Sequence, residues 1–247
     1  MTQGNAGLGE QAMNKVAEMA IASQLDESES LSVSLKTDPG QLAQGAVDSV
    51  SIDGKGLVMQ QDLRMEELEL HLKDLSVNPL SAVFGKIELT QPSLGTVRVV
   101  LTESDINRAF NSEYITTKLS AQKVHVNGNP VTIDAKSVEC NLLESGKFAL
   151  NAEVLVRETS SIEKVSFIAL PQINQEGWGI SLGDVEYPSH HELSPELTAA
   201  LVEKASEILN LRNFDLKGMS VRIQQLDVQP GLLTLHASAK VDRFPSS

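Results

Sequence analysis

The sequence of 247 residues contains a single cysteine, Cys140. One thiol cannot form an internal disulfide, and alone it cannot build a thiolate metal site, so a disulfide scaffold and a zinc finger are both excluded. Cys140 lies in the alternating segment VECNL, which favours a small buried side chain over a nucleophile. This cysteine usage fits a reducing compartment.

Basic residues are also scarce. The chain has 20 Lys and Arg against 33 Asp and Glu, a formal net charge of −13, and the acidic residues are spread along its whole length. Nucleic-acid binding draws most of its affinity from clustered Lys and Arg, so we expect no nucleic-acid partner. The same charge argues against simple electrostatic adhesion to an anionic membrane.

Long apolar runs are missing as well. No stretch approaches ~18 consecutive apolar residues, the length that indicates a membrane-spanning helix. The first 30 residues lack the basic region and unbroken apolar segment of an export signal. We therefore expect a cytoplasmic protein, either free or in transient peripheral contact with an internal or plasma membrane.

Aromatic residues make up only 4% of the chain, so the core must be built mostly from Leu, Ile, Val, Met and Ala. Such side chains can pack densely, or they can leave an apolar cavity suited to acyl chains. The sequence has no Gly-x-Ser-x-Gly elbow, the motif of a serine nucleophile. His190 and His191 are adjacent and project in different directions, so they do not converge on a metal ion. We expect a protein that is not an enzyme and that holds no metal or cofactor.

Three segments have the period of an amphipathic helix, and they begin near residues 8, 102 and 194. Thr102 and Asp105 have the spacing of a capping box at the start of the second helix. A break is expected after it, near Asn111 and Ser112, and Ser194 is expected to cap the third helix. The predicted buried faces are Leu8, Ala12, Val16 and Met19 in the first helix, Ile106, Ala109 and Phe110 in the second, and Leu197, Leu201, Ala205 and Ile208 in the third.

Between these helices the apolar period changes to two, most clearly in 148–156 and 233–241, which predicts an antiparallel sheet with one dry face. Turn signals occur at Asp53-Gly54, Asn127-Gly128, Ser145-Gly146 and Pro230-Gly231. The alternation slips by one residue between Met65 and Leu68, between Leu72 and Leu75, and between Ala135 and Val138. A slip turns the apolar set outward unless a bulge or bend absorbs it, so we expect long, strongly curved strands.

Together these elements predict an α+β fold in which a long, curved antiparallel sheet wraps around amphipathic helices. No linker rich in Pro, Gly or Ser divides the chain, so residues 1–247 are predicted to form one domain. Within it, residues 1–30 are expected to form an N-terminal helix and an acidic linker, and residues 31–247 the helix-wrapped sheet.

Most of the chain also carries a family resemblance. The segments VDSVSIDGKGLVMQQDLRMEELELHLKDLSV, SAVFGKIELT and VRVVLTESDINRAF resemble the LmeA-like phospholipid-binding family, a bacterial domain long described only as of unknown function. The last segment is the most specific. The stretch from LSPELTAAL to HASAKV is similar to the C-terminal part of cyanobacterial members. The resemblance implies a tubular lipid-binding (TULIP-like) fold that encloses an apolar groove for phospholipid.

The resemblance implies non-enzymatic binding of a phospholipid or similar diacyl lipid, with transfer between membranes as an extension of that role. Lys204 falls within an apolar helix stripe, where its amine either reaches water over a packed stem or contacts a lipid headgroup. For each apolar candidate, plain core packing is the alternative, and the alternative function is a protein-interaction or scaffold module with a fully packed core. The residues predicted to contact lipid are Ile106, Phe110, Leu197, Leu201, Lys204 and Ile208.

Overall fold

The computed structural model describes residues 8–59, 62–78, 88–126, 128–187, 195–213 and 218–243. The helices in these residues are α1 (Leu8–Ala22), α2 (Pro39–Leu42), α3 (Glu103–Phe110), α4 (Glu113–Lys118), α5 (Pro195–Ile208) and a 3-10 turn (Leu211–Asn213). The strands are β1 (Leu25–Glu27), β2 (Ser30–Lys36), β3 (Ala46–Met59), β4 (Leu63–Ser76), β5 (Ser93–Thr102), β6 (Gln122–Val126), β7 (Asn129–Leu142), β8 (Phe148–Val156), β9 (Ser161–Ile173), β10 (Ile180–Glu186), β11 (Met219–Gln229) and β12 (Leu232–Val241).

The strands form two antiparallel sheets. The seven-stranded sheet has the order β1-β3-β4-β5-β12-β11, and β2 pairs with β3 alongside β1. The five-stranded sheet has the order β10-β9-β8-β7-β6. The predicted α+β fold with a long, curved antiparallel sheet is confirmed, and β3, β4 and β7 each run for 14 residues.

The seven-stranded sheet packs against α1, but not through the face that the sequence predicts. Ala17 is buried, while Val16 and Met19 are 44% and 64% exposed. The Oδ1 atom of Asn14 accepts a hydrogen bond from the backbone N-H of Leu35 at 2.8 Å. Because β2 lies at the edge of the sheet, this N-H lacks a strand partner, and satisfying it turns α1 away from the predicted stripe. The side chains of Leu8 and Ala12 lie outside what the structure describes.

The five-stranded sheet curls around α5, which contacts both of its edge strands, β6 and β10. The predicted buried face of α5 is confirmed for Leu197 and Ile208, which are 3% and 9% exposed. Leu201 and Ala205 are half-buried against the same core. The predicted cap Ser194 lies outside the described residues. The aliphatic face of α5 therefore packs against the concave side of the curled sheet.

The capping box at the start of α3 is confirmed. Thr102 Oγ1 accepts from the backbone N-H of Asp105 at 3.1 Å, and the Asp105 carboxylate accepts from the backbone N-H of Thr102 at 2.8 Å. The predicted break is also confirmed, because α3 ends at Phe110 and Ser112 caps the separate helix α4. The strand β5 thus passes into a helix without glycine because the cap satisfies the backbone at the junction.

Two side chains of α3 and that of its C-cap residue, Asn111, bond to an open edge of β7. β6 pairs with β7 from Asn129 to Ile133, and no other described strand pairs with the later residues of β7 on that side. Side chains four residues apart on a helix are about 6 Å apart along its axis, close to the ~6.7 Å spacing of alternate strand residues. The contacts join Glu103 to Leu142, Asn107 to Cys140, and Asn111 to Val138. Cys140 is fully buried, as predicted, and burial raises the pKa of its thiol to about 12.

Three of the four predicted hairpin turns are confirmed. Gly128, Gly146 and Gly231 have positive φ angles of 76°, 75° and 77°, and each lies between two paired strands. Asn127 itself lies outside the described residues. The prediction of a turn at Asp53-Gly54 was wrong, because this pair lies inside β3, with neighbours on both sides. The turn between β3 and β4 comes later and ends at Asp62, whose φ of 66° is tolerated by its short polar side chain.

The predicted slips in alternation are accommodated in different ways. The pairing of β7 with β8 shifts between Ala135 and Ser137, as expected for a bulge. Between Leu72 and Leu75, Asp74 takes a φ of 53°, and this local bend keeps both leucines buried. The pairing of β3 with β4 keeps one register from end to end. The first part of β4, around Met65, is half-buried on both faces.

The acidic run after α1 is more ordered than the predicted linker. Leu25–Glu27 forms β1, which pairs with the end of β3, and β2 begins at Ser30. The prediction that residues 1–247 form one domain stays a prediction.

Candidate functional site

A cavity opens to solvent between α4 and the turn that joins β3 to β4. Its volume is about 540 Å³, within the range of roughly 300–1,000 Å³ that is typical of clefts for small molecules. Among the described residues, its lining comprises Asp62 on the turn and Glu113, Tyr114, Thr117 and Lys118 on α4. The cavity is therefore a cleft between a short helix and a hairpin end.

The sequence of α4 gives the helix a core face and a cavity face. Ser112 caps the helix, its Oγ accepting from the backbone N-H of Ile115 at 3.3 Å. Ile115 and Leu119 are buried and hold α4 on the core. The four cavity residues occupy positions i, i+1, i+4 and i+5, which share the other side of the helix. The core face thus fixes the position of α4, and the cavity side chains project from the opposite side of the helix.

One ammonium and two carboxylates lie around the cavity. The Nζ atom of Lys118 lies 4.7 Å from the centroid of the Tyr114 ring, in cation–π geometry. Asp62 pairs with Arg108 on α3. Within the described parts of the chain, neither Lys118 nor Glu113 forms an ion pair. Among the described residues, these two opposite charges at the cavity therefore have no counter-charge in an ion pair.

The wall opposite α4 is held in place by two ion pairs to α3. Arg108 donates to the Asp62 carboxylate from Nε at 2.8 Å and from one terminal nitrogen. Arg64, just after the turn, donates to Asp105 at 2.7 Å, and this carboxylate is only 3% exposed. The hydrogen bonds that Arg108 donates to Asp62 raise the pKa of Arg108, and the bond that Arg64 donates to Asp105 raises the pKa of Arg64. Both guanidinium groups stay charged, so the turn remains tied to α3.

The structure brings most of the predicted lipid contacts together in one apolar cluster. Tyr114, at the cavity, packs against this same cluster. As far as the described lining shows, none of the predicted residues reaches the cavity itself, so their contact with lipid stays a prediction. The predicted residues in the cluster are Ile106, Phe110, Leu197 and Ile208, which are buried, and Leu201, which is half-buried.

Lys204 projects from the same helix as Leu197 and Leu201. Its Nζ lies 2.8 Å from an Oε atom of Glu207, and its side chain is 26% exposed. The stem is thus half-buried while the amine meets a carboxylate at the surface, the behaviour of a snorkelling lysine. A headgroup contact would compete with Glu207, and it stays a prediction.

Sequence reasoning missed the cavity residues of α4. The available signals were that Tyr114 does not fit the stripe of α3 and that Ser112 is a good cap for a new helix. Neither signal indicates a cavity, because the opposite wall comes from Asp62, far away in the sequence. The turn there also carries no glycine or proline to mark it.

In the described residues, no three His, Cys, Asp or Glu side chains come together as a metal site would require. His190 and His191 lie outside these residues. Across the same ranges, no helix has the length and apolar character needed to cross a bilayer.

The fold and the cleft define an α+β protein with a curved antiparallel sheet and a cavity bordered by an apolar core. The model of the LmeA-like phospholipid-binding family matches residues 4–238, nearly the whole chain. The protein therefore belongs to the LmeA-like phospholipid-binding family. Searches of curated proteins and of solved structures gave no match.

Proposed function

We propose that this protein binds a phospholipid without chemical conversion and that an acyl chain occupies the cavity between α4 and the β3–β4 turn. Family membership carries the proposal. The cavity supports the proposed location of the lipid, because Tyr114 lines the cavity and also packs against the apolar core. A volume of about 540 Å³ suits one chain better than a whole diacyl lipid, so the headgroup stays at the mouth.

Burial of the chain supplies the affinity. Each methylene removed from water contributes about 0.8 kcal/mol, so ten buried methylenes contribute about 8 kcal/mol. Association costs roughly 4–15 kcal/mol in lost freedom of the two partners. The balance favours reversible binding over permanent retention, which is compatible with transfer of lipid between membranes.

We further propose that the cluster of predicted residues forms the inner part of the lipid site, with Lys204 at its rim. Thr198 on α5 supports this extension. Its side chain is 1% exposed, and its hydroxyl has no hydrogen-bond partner in the described structure. Buried hydroxyls rarely lack a partner, and an ester oxygen of a lipid would accept a bond from this one. The inner residues are Ile106, Phe110, Leu197, Leu201 and Ile208.

Two bulky substitutions test where the lipid lies. Thr117 is exposed on the cavity face of α4, so Thr117→Trp should fill the cavity and leave the core intact. If the ring displaces two methylenes, lipid uptake should fall about tenfold. Leu201→Trp should lower uptake only if lipid reaches α5. Thr90→Trp, at an exposed position before β5, is the matched control.

The readout is lipid that copurifies with each variant, measured by native mass spectrometry, together with uptake of a fluorescent phospholipid from vesicles. Loss of lipid in Thr117→Trp but not in Thr90→Trp, with unchanged unfolding midpoints, supports the cavity. A loss confined to Leu201→Trp would move the site to α5 and refute the cavity placement. A wild-type protein that neither carries lipid nor takes it up would refute phospholipid binding and favour the interaction module.

A further inference from the structure

We infer that the cavity selects phospholipids whose headgroup carries both a phosphate and an ammonium over phospholipids with a net negative headgroup. The inference rests on the proposed function, since it concerns the lipid held in that cavity. It is drawn from Lys118 and Glu113, two opposite charges of α4 at the cavity that form no ion pair with any described residue.

Lys118 offers a cation to the phosphate. It is exposed at the end of α4, its Nζ rests over the face of Tyr114, and within the described chain no carboxylate pairs with it. Lys204, by contrast, is already paired with Glu207. A phosphate oxygen at Lys118 would gain a charge-assisted hydrogen bond without breaking an existing ion pair.

Glu113 offers an anion to the ammonium. It is exposed in the first turn of α4 and forms no ion pair in the part of the chain that the structure describes. Lys118 follows Glu113 by five positions, which is about 7.5 Å along the helix axis. Both side chains are flexible, so one headgroup can reach both charges.

The third charged residue of the described lining, Asp62, is balanced by its ion pair with Arg108. A headgroup with only negative charge would satisfy Lys118 but would leave Glu113 facing a ligand of like charge. The net charge of −13 adds repulsion at longer range. A headgroup without charges would gain neither contact. The charge pattern therefore complements a zwitterion.

The test is competition between two lipids with identical acyl chains. The full-length protein is incubated with vesicles holding equal amounts of phosphatidylethanolamine and phosphatidylglycerol, re-isolated, and its bound lipid extracted and quantified by mass spectrometry. We expect phosphatidylethanolamine to exceed phosphatidylglycerol by up to about fivefold, the effect of an exposed charge pair. Glu113→Gln should bring the ratio close to one, and Glu113→Lys should reverse it.

Asp48→Lys is the matched control, since it makes the same change of charge at an exposed position near the start of β3. Asp48 lies about 35 Å along the strand from the cavity end of β3, and the lipid ratio should not change. A ratio of one or below in the wild-type protein overturns the inference and leaves phospholipid binding standing. An equal response to Asp48→Lys and Glu113→Lys also overturns it. Absence of both lipids overturns the proposed function and the inference together.

Discussion

Removal of the Asn107 side chain should destabilise the protein far more than removal of Asn111, although both make the same pair of bonds to β7. Asn107 donates to the carbonyl of Cys140 at 2.9 Å and accepts from its N-H at 2.7 Å. Asn111 makes the corresponding bonds to Val138 at 2.8 and 3.2 Å. The difference is burial: Cys140, the partner of Asn107, is fully enclosed, whereas Asn111 is exposed and its partner Val138 is only half-buried.

The expected magnitudes follow from what each substitution leaves behind. In Asn107→Ala, a buried N-H and a buried C=O lose their partners, and each unsatisfied group costs roughly 1–3 kcal/mol. The loss should be about 3 kcal/mol or more, a large part of the ~5–15 kcal/mol that stabilises a typical domain. For a chain of this size, the melting temperature should fall by about 6–12 °C. In Asn111→Ala water replaces the lost bonds, so the cost should stay near or below about 1 kcal/mol.

Equilibrium unfolding in urea, followed by circular dichroism, measures both losses on the same scale. The wild-type protein and the two alanine variants are compared at constant pH and salt, and the free energy of unfolding is extrapolated to water. Equal losses in the two variants would show that burial of the bonded groups does not set the cost. A loss well below 1 kcal/mol in Asn107→Ala would show that α3 does not replace a strand at this edge.

The pKa of the Asp134 carboxyl is lowered from 3.8 to about 2, chiefly by hydrogen bonds from Arg157. Because the folded pKa is depressed, this contribution to stability is present above about pH 4 and is lost as the pH falls toward 2. The urea midpoint of Asp134→Asn should therefore depend less on pH over that interval than the midpoint of the wild-type protein. The same dependence of the midpoint on pH in both proteins would contradict this assignment. Gly95→Ala should be destabilising by at least ~3 kcal/mol, because its Cβ would lie 2.1 Å from the carbonyl oxygen of His71. A melting temperature equal to that of the wild-type protein would show that β4 and β5 can separate at little cost.

The parts of the fold that the sequence predicts well are those decided by neighbours in the chain. Alternation over 148–156 and 233–241 identifies β8 and β12, and Thr102 with Asp105 identifies the start of α3. The buried face of α1 is not decided locally. The unpaired N-H of Leu35 draws Asn14 inward, and this contact outweighs burial of Val16.

The candidate site was less predictable for the same reason. The apolar cluster of Ile106 and Phe110 follows from helical spacing, whereas the cavity requires the β3–β4 turn to lie opposite α4. That turn has no glycine, and the stronger signal at Asp53-Gly54 points to the wrong place, because a strand can carry an Asp-Gly pair when its neighbours cover both edges. The position of the site therefore depends on contacts between residues far apart in the sequence, and local sequence patterns do not predict such contacts.

The segment LTESDINRAF is the most specific part of the family resemblance. It positions the walls of the cavity, although none of its residues is in the described lining. Its Asp105 and Arg108 fix the β3–β4 turn, its Asn107 replaces a strand at the edge of β7, and its helix leads directly into α4. Both walls of the cavity are thus positioned by one short helix. Glu113 and Lys118 face the cavity from α4 but are exposed and are not needed for that positioning, since Ile115 and Leu119 hold the helix on the core. Substitution at Glu113 or Lys118 can therefore alter what the cavity accepts while the fold stays the same.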